Sequence, residues 1–167
     1  MLKKIVLLAV IMLPAFAFAQ ESQKITYVNR LDVIYAMPEF KQMQDSLAKS
    51  DNEFQAEFKI LQEEYYGKYA DYIAKRDSLN ESIRLRREQE LTEIAQRTES
   101  FQQFAQQKQE ELQQALITPI LTKFQKAVED VGKENNYLYI IDSTVLTYTS
   151  ANATDATPLI KRKLGIQ

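Results

Sequence analysis

The longest hydrophobic pattern in the chain runs from Glu39 to Thr118, where apolar residues recur at alternating spacings of three and four. This seven-residue period is typical of helices that pack along one another. The segment contains no proline and one glycine, Gly67, so a long helical structure is favoured. The period has two series: Phe40, Leu47, Phe54, Phe58, Leu61, Tyr65, Tyr72 and Leu79, then Leu91, Ile94, Thr98, Phe101, Ala105, Lys108, Leu112 and Ala115.

A turn is predicted between the two series, near residues 77–81. Asp77, Ser78 and Asn80 are residue types common in turns and helix caps, and Asn80 followed by Glu81 is a typical helix start. Folding the chain there predicts an antiparallel hairpin with arms of about 40 residues and a length of about 60 Å. We expect four facing positions: Leu47 with Leu112, Phe58 with Phe101, Tyr65 with Ile94 and its neighbour, and Tyr72 with Arg86.

Short alternating patterns at both ends of the chain predict strands. They cover Lys24–Asn29, Tyr137–Asp142 and Val145–Thr149, and residues 142–144 form the predicted turn between the last two. Three short strands leave open edges in a monomer, so we expect a small β body that is completed only by oligomerisation. The candidate interface residues alternate along these strands: Ile25, Tyr27, Tyr137, Tyr139 and Ile141.

Further signals set the limits of the helices after the hairpin. The second hairpin helix is predicted to continue past Pro119, which we expect to kink it, as far as about Lys133. Asn136 belongs to an Asn pair that can end a helix in the left-handed conformation. Thr157 is the predicted cap of a short final helix over residues 159–164, with Pro158 at its first position.

The first 19 residues have the pattern of an export signal. Two lysines precede the apolar run Ile5–Leu13, and Ala17–Ala19 is a small-x-small cleavage site. The apolar run is much shorter than the roughly 20 residues that span a bilayer. We therefore predict a signal peptide that is cleaved after Ala19 and an exported mature protein.

Composition excludes several kinds of function. The chain has no Cys or His, which excludes cysteine-based metal sites, disulfides and imidazole catalysis. It has three glycines and no glycine-rich phosphate-binding motif. The 21 basic and 23 acidic residues give a net charge of −2, without the basic excess typical of nucleic-acid binding. The prediction is a protein that is not an enzyme, with no cofactor, no metal and no nucleic-acid partner.

Two groups of residues on the hairpin are candidates for binding. The first is apolar and lies off the main seam; it consists of Tyr66, Tyr69, Ile73 and Phe104. These side chains either contact a bound partner or pack within and between arms, and the sequence does not decide between these alternatives. The second surrounds the predicted turn and consists of Lys75, Arg76, Asn80, Arg84, Arg86 and Arg87. This basic tip could contact a membrane surface, but a solvated helical turn is the favoured interpretation.

The order of these elements resembles the Skp/OmpH family of periplasmic chaperones. The resemblance extends over essentially the whole mature chain and is carried by six segments: ITYVN (25–29), AMPEF (36–40), SLNESIR (78–84), TPI (118–120), YLYIIDSTVLTYT (137–149) and DATPLIKRKL (155–164). The chain departs from the strongly basic members of the family, since its sequence pI is about 5.4. This acidity puts electrostatic attraction to clients or membranes in doubt.

The resemblance implies a homotrimer whose strands form a β body and whose helical hairpins surround a cavity. The cavity would hold unfolded outer-membrane β-barrel proteins without ATP. The predicted fold class is mainly α with a small β body, with residues 20–38 and 119–167 in the body and residues 39–118 in the hairpin arm. A structural coiled-coil protein, such as an envelope spacer that binds no client, is the alternative; it would have cleaner heptads and no turn near residue 80.

Overall fold

The computed structural model describes residues 24–166, so the predicted leader lies outside the described residues. The mainly α fold class with a small sheet is confirmed. The elements in chain order are β1 (Lys24–Val28), α1 (Arg30–Ala36), α2 (Pro38–Lys75), α3 (Glu81–Glu134), β2 (Tyr137–Asp142), β3 (Thr154–Asp155) and α4 (Thr157–Lys163), with single 3₁₀ turns at Arg76–Ser78 and Ser143–Val145.

Helices α2 and α3 form an antiparallel hairpin that extends from the rest of the molecule. Pro38 occupies the first turn of α2, where its missing N–H removes no helical hydrogen bond. At the other end the chain reverses through the 3₁₀ turn, and Asn80 caps α3 by accepting a hydrogen bond from the Ile83 N–H at 2.9 Å. The residue types between Asp77 and Glu81 therefore act locally as the sequence predicts.

Two contacts across the hairpin are displaced from the predicted pairs, by four positions for Phe101 and by two for Tyr72. The Phe101 ring lies 6.1 Å from Phe54 between centroids, and its other recorded aromatic neighbour is Phe104. Tyr72 donates its hydroxyl proton to Glu88, two positions beyond the predicted partner Arg86. Long side chains contact diagonally across an antiparallel seam, so facing positions alone do not give the contact pairs.

The sheet has three strands in the order β2-β1-β3, and both outer strands run parallel to β1. Ile25 pairs with Tyr139 and Tyr27 with Ile141, whereas Lys24 pairs with Tyr137. Leu138 is therefore an extra residue on β2, which is a β-bulge. The bulge reverses the side-chain alternation before it, and Tyr137 packs against the core instead of sharing a face with Tyr139.

The predicted strand at Val145–Thr149 is wrong. Val145 ends a 3₁₀ turn and the following residues are irregular, while the third strand is Thr154–Asp155. Asp142 accepts a hydrogen bond from the Thr144 N–H at 3.0 Å, which turns the chain away from the sheet. Residues Thr154–Asp155 pair with the free edge of β1 instead, and Thr26 donates its hydroxyl proton to the Thr154 carbonyl at 2.6 Å.

The main core lies at the base of the hairpin, between α1, the start of α2, the last part of α3, α4 and one face of the sheet. Its buried members are Val28, Val33, Ile34, Met37, Met43, Ile120, Phe124, Ala127, Val131, Ala156 and Ile160. Helix α3 continues through Pro119 and supplies four of these residues. The hairpin arm itself is thin, since its buried apolar side chains are Leu61, Tyr72, Leu91 and Ile94.

Thr157 is not the cap of α4, as the sequence predicted, but its first residue. Its N–H donates to Asp155 at 2.8 Å, and its hydroxyl accepts from the Asn29 N–H at 2.8 Å. Asn29, placed in the first strand by the sequence pattern, instead caps α1 by accepting from the Asp32 N–H. The Thr157 hydroxyl therefore accepts a hydrogen bond from the distant Asn29 and does not cap its own helix.

The ends of α3 and α4 follow the local signals. Asn136 adopts a φ of 54°, the left-handed conformation predicted for the Asn pair after α3. Gly165 has a φ of 74° directly after α4, where residues with a Cβ are strained. These two residues take the left-handed backbone conformation that commonly follows a helix, and their N–H groups donate to carbonyls of the last turn.

Candidate interaction surfaces

One side of the hairpin carries a row of exposed apolar side chains, Tyr66, Tyr69 and Ile73, at spacings of three and four along α2. We call this side the tyrosine flank. Tyr66 is 64% exposed, and the neighbouring Tyr65 is half-buried in the seam. The Tyr65 ring stacks on Tyr69 with 6.1 Å between centroids and meets Tyr66 edge-on at 5.7 Å. Three aromatic rings are therefore held together before any partner binds.

A shallow groove of about 260 Å³ lies between the two helices on the tyrosine flank. It is lined by Gln62, Tyr65, Tyr66, Ala95, Thr98, Glu99 and Gln102. Glu99 is the one charged residue in this lining, and the glutamines offer amide donors and acceptors. The groove can therefore accept apolar side chains and satisfy polar backbone groups, with little electrostatic preference.

The opposite side of the hairpin carries the ion pairs that join the two helices of the arm. Arg97 donates to Glu64, and Lys68 donates to Glu90. Glu64 and Tyr66 are two positions apart, so they lie about 200° apart around α2. On α3, Arg97 and the groove residue Ala95 are likewise two positions apart and so lie on different sides of the helix. We call this second side the ion-pair flank.

Phe104 lies on the ion-pair flank and not with the tyrosines. It follows Arg97 by seven residues, a spacing that returns to the same side of a helix. Its ring lies 6.4 Å from Phe54, and the Lys108 ammonium is 5.9 Å from its centroid. Ile60, four residues before Glu64 and 56% exposed, is an apolar neighbour on the same flank that the sequence analysis missed. The four sequence-predicted residues are thus separated into two groups.

Charge pairing changes the pKa of several groups along the hairpin. The hydrogen bond from Lys68, assisted by Arg87, lowers the pKa of Glu90. The hydrogen bond from Lys123 likewise lowers the pKa of Glu39 at the base of the arm. The bond to Glu88 raises the pKa of the Tyr72 hydroxyl, which stays protonated and acts as a donor. These groups serve the packing of the two helices, and they do not converge on a common reaction centre.

The tip of the hairpin combines paired and unpaired cations. Lys75 pairs with Asp71, Arg76 with Asp77, and Arg87 with Glu90. The hydrogen bond from Lys75 lowers the pKa of Asp71. Among the described residues, Arg84 and Arg86 form no ion pair, and Asn80 is used as the helix cap. The positive charge of the tip is therefore smaller than the sequence alone indicates.

The face of the sheet that points away from the core is also apolar. It carries Ile25 and Tyr139, which are exposed, together with the half-buried Tyr27 and Ile141. The opposite face carries the buried Thr26 and Val28 and the core-packed Ile140. Four of the five predicted interface residues therefore share one open face, and Tyr137 is separated from them by the bulge at Leu138.

The irregular segment after β2 carries two exposed apolar side chains that the sequence analysis did not select. Val145 is 71% exposed and Tyr148 is 82% exposed. The sequence did offer a signal for these two residues, namely the alternating pattern that predicted a strand. Because the segment pairs with no strand within residues 24–166, its apolar side chains stay in solvent. Ile83 and Leu85 near the tip are exposed in the same way.

Within residues 24–166, acidic side chains form no group of three or more that could hold a metal ion. No helix in the same range has the length and hydropathy of a membrane span. The described surfaces are thus the exposed apolar sides of the arm and of the sheet, together with the basic tip.

Comparison with known proteins identifies the family to which this architecture belongs. The fold is the class in which a long helical hairpin extends from a small body of mixed secondary structure. A sequence model of the family described as "Outer membrane protein (OmpH-like)" matches residues 24–164. The chain therefore belongs to the OmpH-like family.

A solved structure agrees with this assignment at the level of the fold. It is the crystal structure of a protein from Caulobacter crescentus CB15, described as an OmpH-like outer membrane chaperone. The two chains share 12% identity and superpose with a TM-score of 0.74, over 84% of this chain and 82% of the other. A search of curated proteins found no significant match. The family resemblance inferred from the sequence is confirmed.

Proposed function

We propose that this protein is an ATP-independent holdase chaperone of the periplasm. It binds unfolded outer-membrane β-barrel proteins between helical arms and prevents their aggregation, and it performs no catalysis. The observation that carries the proposal is the surface of the arm, where Tyr66, Tyr69 and Ile73 are exposed along a helix that has few buried residues. Such exposed apolar area can hold a client through many weak contacts.

Oligomerisation is part of the proposal. The face formed by Ile25, Tyr27, Tyr139 and Ile141 leaves apolar area in solvent on an isolated chain, and burial against other copies would remove it. A homotrimer, which the family resemblance implies, would place three arms around one cavity. Many weak contacts within a cavity suit a holdase, because the client must leave without an energy source.

The alternative is a structural spacer, and the shape of the arm argues against it. A spacer of this length gains reach from one continuous rod, whereas α2 and α3 reverse at Asn80 and return to the same core. The polar interruptions at Lys68 and Glu90 also weaken the seam that a stiff rod would need. Contact of the basic tip with a membrane surface stays a secondary proposal, supported by Arg84 and Arg86.

The test is a mass measurement combined with an aggregation assay. Light scattering gives the mass of the purified mature protein, alone and after dilution of a urea-unfolded outer-membrane β-barrel protein into it. A trimer that keeps the client soluble in a discrete complex is the expected result. A defined oligomer that leaves the client to aggregate would contradict the chaperone function and favour the spacer.

A further inference from the structure

The two flanks of the hairpin differ in charge although both are exposed and both carry apolar residues. The ion-pair flank holds the inter-helix pairs Glu64–Arg97 and Lys68–Glu90. On the tyrosine flank, the groove beside Tyr66 is lined by one charged residue, Glu99. Around Tyr66 the arm therefore presents inter-helix ion pairs on one side and a groove with a single charged residue on the other.

Ion pairs on one flank and stacked tyrosine rings on the other make the two flanks unequal as binding surfaces. An arginine or lysine on the ion-pair flank that binds a client must release or share its carboxylate, which opposes binding slightly because these pairs are partly exposed. The rings of Tyr65, Tyr66 and Tyr69 already contact one another, so little side-chain freedom is lost when a partner covers them. The tyrosine flank is the side on which a neutral partner displaces only water.

We propose that the tyrosine flank is the client-contacting face of the arm, and that it takes extended, uncharged, aromatic-rich segments of unfolded β-barrel proteins. This inference rests on the proposed chaperone function. Strands of such barrels carry apolar outward residues with aromatic girdles, which match the ring cluster at Tyr65, Tyr66 and Tyr69. Gln62 and Gln102 in the groove can donate to and accept from the unpaired backbone of an extended segment.

The charge of the groove sets the expected specificity. With Glu99 as its single charged residue, the groove offers no cation for an acidic segment and no network for a strongly basic one. Client affinity is therefore insensitive to ionic strength, in spite of the many charges elsewhere on the arm. This behaviour distinguishes contact at the tyrosine flank from capture by the basic tip.

A pair of matched double variants tests the assignment. Tyr66→Ser with Tyr69→Ser removes exposed rings from the tyrosine flank, and Ile60→Ser with Phe104→Ser removes exposed apolar area from the ion-pair flank. Binding of a fluorescently labelled, urea-unfolded outer-membrane β-barrel protein is measured by anisotropy. We expect the first variant to bind about tenfold more weakly or worse, and the second to stay within about twofold of the wild type. Equal losses in both variants would overturn the inference.

Controls distinguish a loss of client binding from a loss of folding or of assembly. Phe104 contacts Phe54, so the single variant Ile60→Ser serves if the double variant loses helicity. Light scattering reports the mass of each variant, and a lower mass for Tyr66→Ser with Tyr69→Ser would assign the flank to contact between copies and overturn the client role. If the wild type itself fails to bind the client, the proposed function has failed; if the wild type binds and both double variants weaken equally, only the flank assignment has failed.

Salt dependence provides a second readout. Raising sodium chloride from about 0.1 M to about 1 M shortens the Debye length from about 10 Å to about 3 Å. We expect wild-type affinity to change by less than about threefold over this range, because apolar contact is not screened. A fall of a hundredfold or more would place the client on the charged groups and overturn the inference.

Discussion

Single residues decide where the hairpin turns, and Asn80 is the clearest case. Its side chain satisfies the Ile83 N–H, one of the donors that an uncapped helix leaves free. The local sequence is sufficient for this role, because the cap and its partner are three positions apart. Thr157 shows the opposite behaviour, since its hydroxyl is used by Asn29, 128 positions away in the chain.

Replacing Asn80 with Ala is expected to destabilise the hairpin by about 1 kcal/mol, because the Ile83 N–H loses its partner. Thermal unfolding followed by circular dichroism measures the loss, and light scattering is expected to give an unchanged oligomer mass. Asn52→Ala, an exposed change in the middle of α2, is the matched control and should be neutral or slightly stabilising. Dissociation of the Asn80→Ala oligomer would show that the tip contributes to assembly.

The ion pairs of the arm predict how its stability depends on pH. Lys68 lowers the pKa of Glu90 below its ordinary value of 4.5, so the folded state favours the charged carboxylate. The stabilisation is therefore fully present above that value and is lost as the pH falls through the lowered pKa. Both side chains are about one-third exposed, so the effect is small.

Comparison of Glu90→Gln with the wild type isolates this contribution. Near neutral pH the variant is expected to melt at a lower temperature, and the two melting temperatures should converge as the pH falls through the lowered pKa of Glu90, because the carboxylate is then protonated. Glu57→Gln changes an exposed glutamate of α2 and serves as the control, with no comparable convergence. A difference between Glu90→Gln and wild type that persists unchanged in acid would assign the loss to packing instead of charge.

At the scale of elements, the helices of the arm are held by few buried side chains. The buried apolar side chains of the arm are Leu61, Tyr72, Leu91 and Ile94, and the seam residues toward the body are half-buried. The seam is therefore weak along much of its length, and intrinsic helix propensity matters more than it would in a packed core. The contribution of helix propensity to stability is most easily measured at Gly67.

Gly67→Ala is expected to stabilise the protein by about 1 kcal/mol, because Ala is the better helix former and its Cβ would meet no atom within 4 Å. Urea unfolding provides the measurement. Gly165→Ala is the opposed control and should destabilise, since a φ of 74° strains a residue with a Cβ. If Gly67→Ala gains stability but retains less client-holding activity, Gly67 is a flexible joint that the function needs; unchanged activity would show that it is not.

At the scale of the whole molecule, the sheet is the part that one chain leaves incomplete. One of its faces belongs to the core, and the other exposes Ile25 and Tyr139 as direct cross-strand partners. A soluble protein rarely leaves paired large apolar residues on an open face unless another surface covers them. We therefore propose that the oligomer contact lies on this face of the sheet, which would leave the arms free.

Changing both Ile25 and Tyr139 to Asp is expected to dissociate the oligomer into single chains, because two carboxylates would be buried without partners at the contact. Both residues are exposed in the isolated chain, so the core beneath should keep its structure. Light scattering gives the mass and circular dichroism the helicity, with Ile60→Asp on the arm as the control. An oligomer that survives the double change would remove the sheet face from the proposed interface.

The sequence by itself determined the features that depend on neighbours in the chain. The seven-residue period, the proline at the start of α2, the cap at Asn80 and the left-handed Asn136 all act within a few positions. Local propensity and helical phase are sufficient for them. The long hairpin and the mainly α class followed from these signals, whereas the ordered sequence segments carried the family resemblance.

The tertiary structure decided what depends on distant partners. The third strand is Thr154–Asp155 because the edge of β1 offers Thr26 as a hydrogen-bond partner there, whereas Val145–Thr149 pairs with no strand within residues 24–166. The bulge at Leu138 moved Tyr137 to the core, a shift that strand alternation alone cannot show. Phe104 was separated from the tyrosines because seam geometry, and not exposure, determines which side of the hairpin a residue joins.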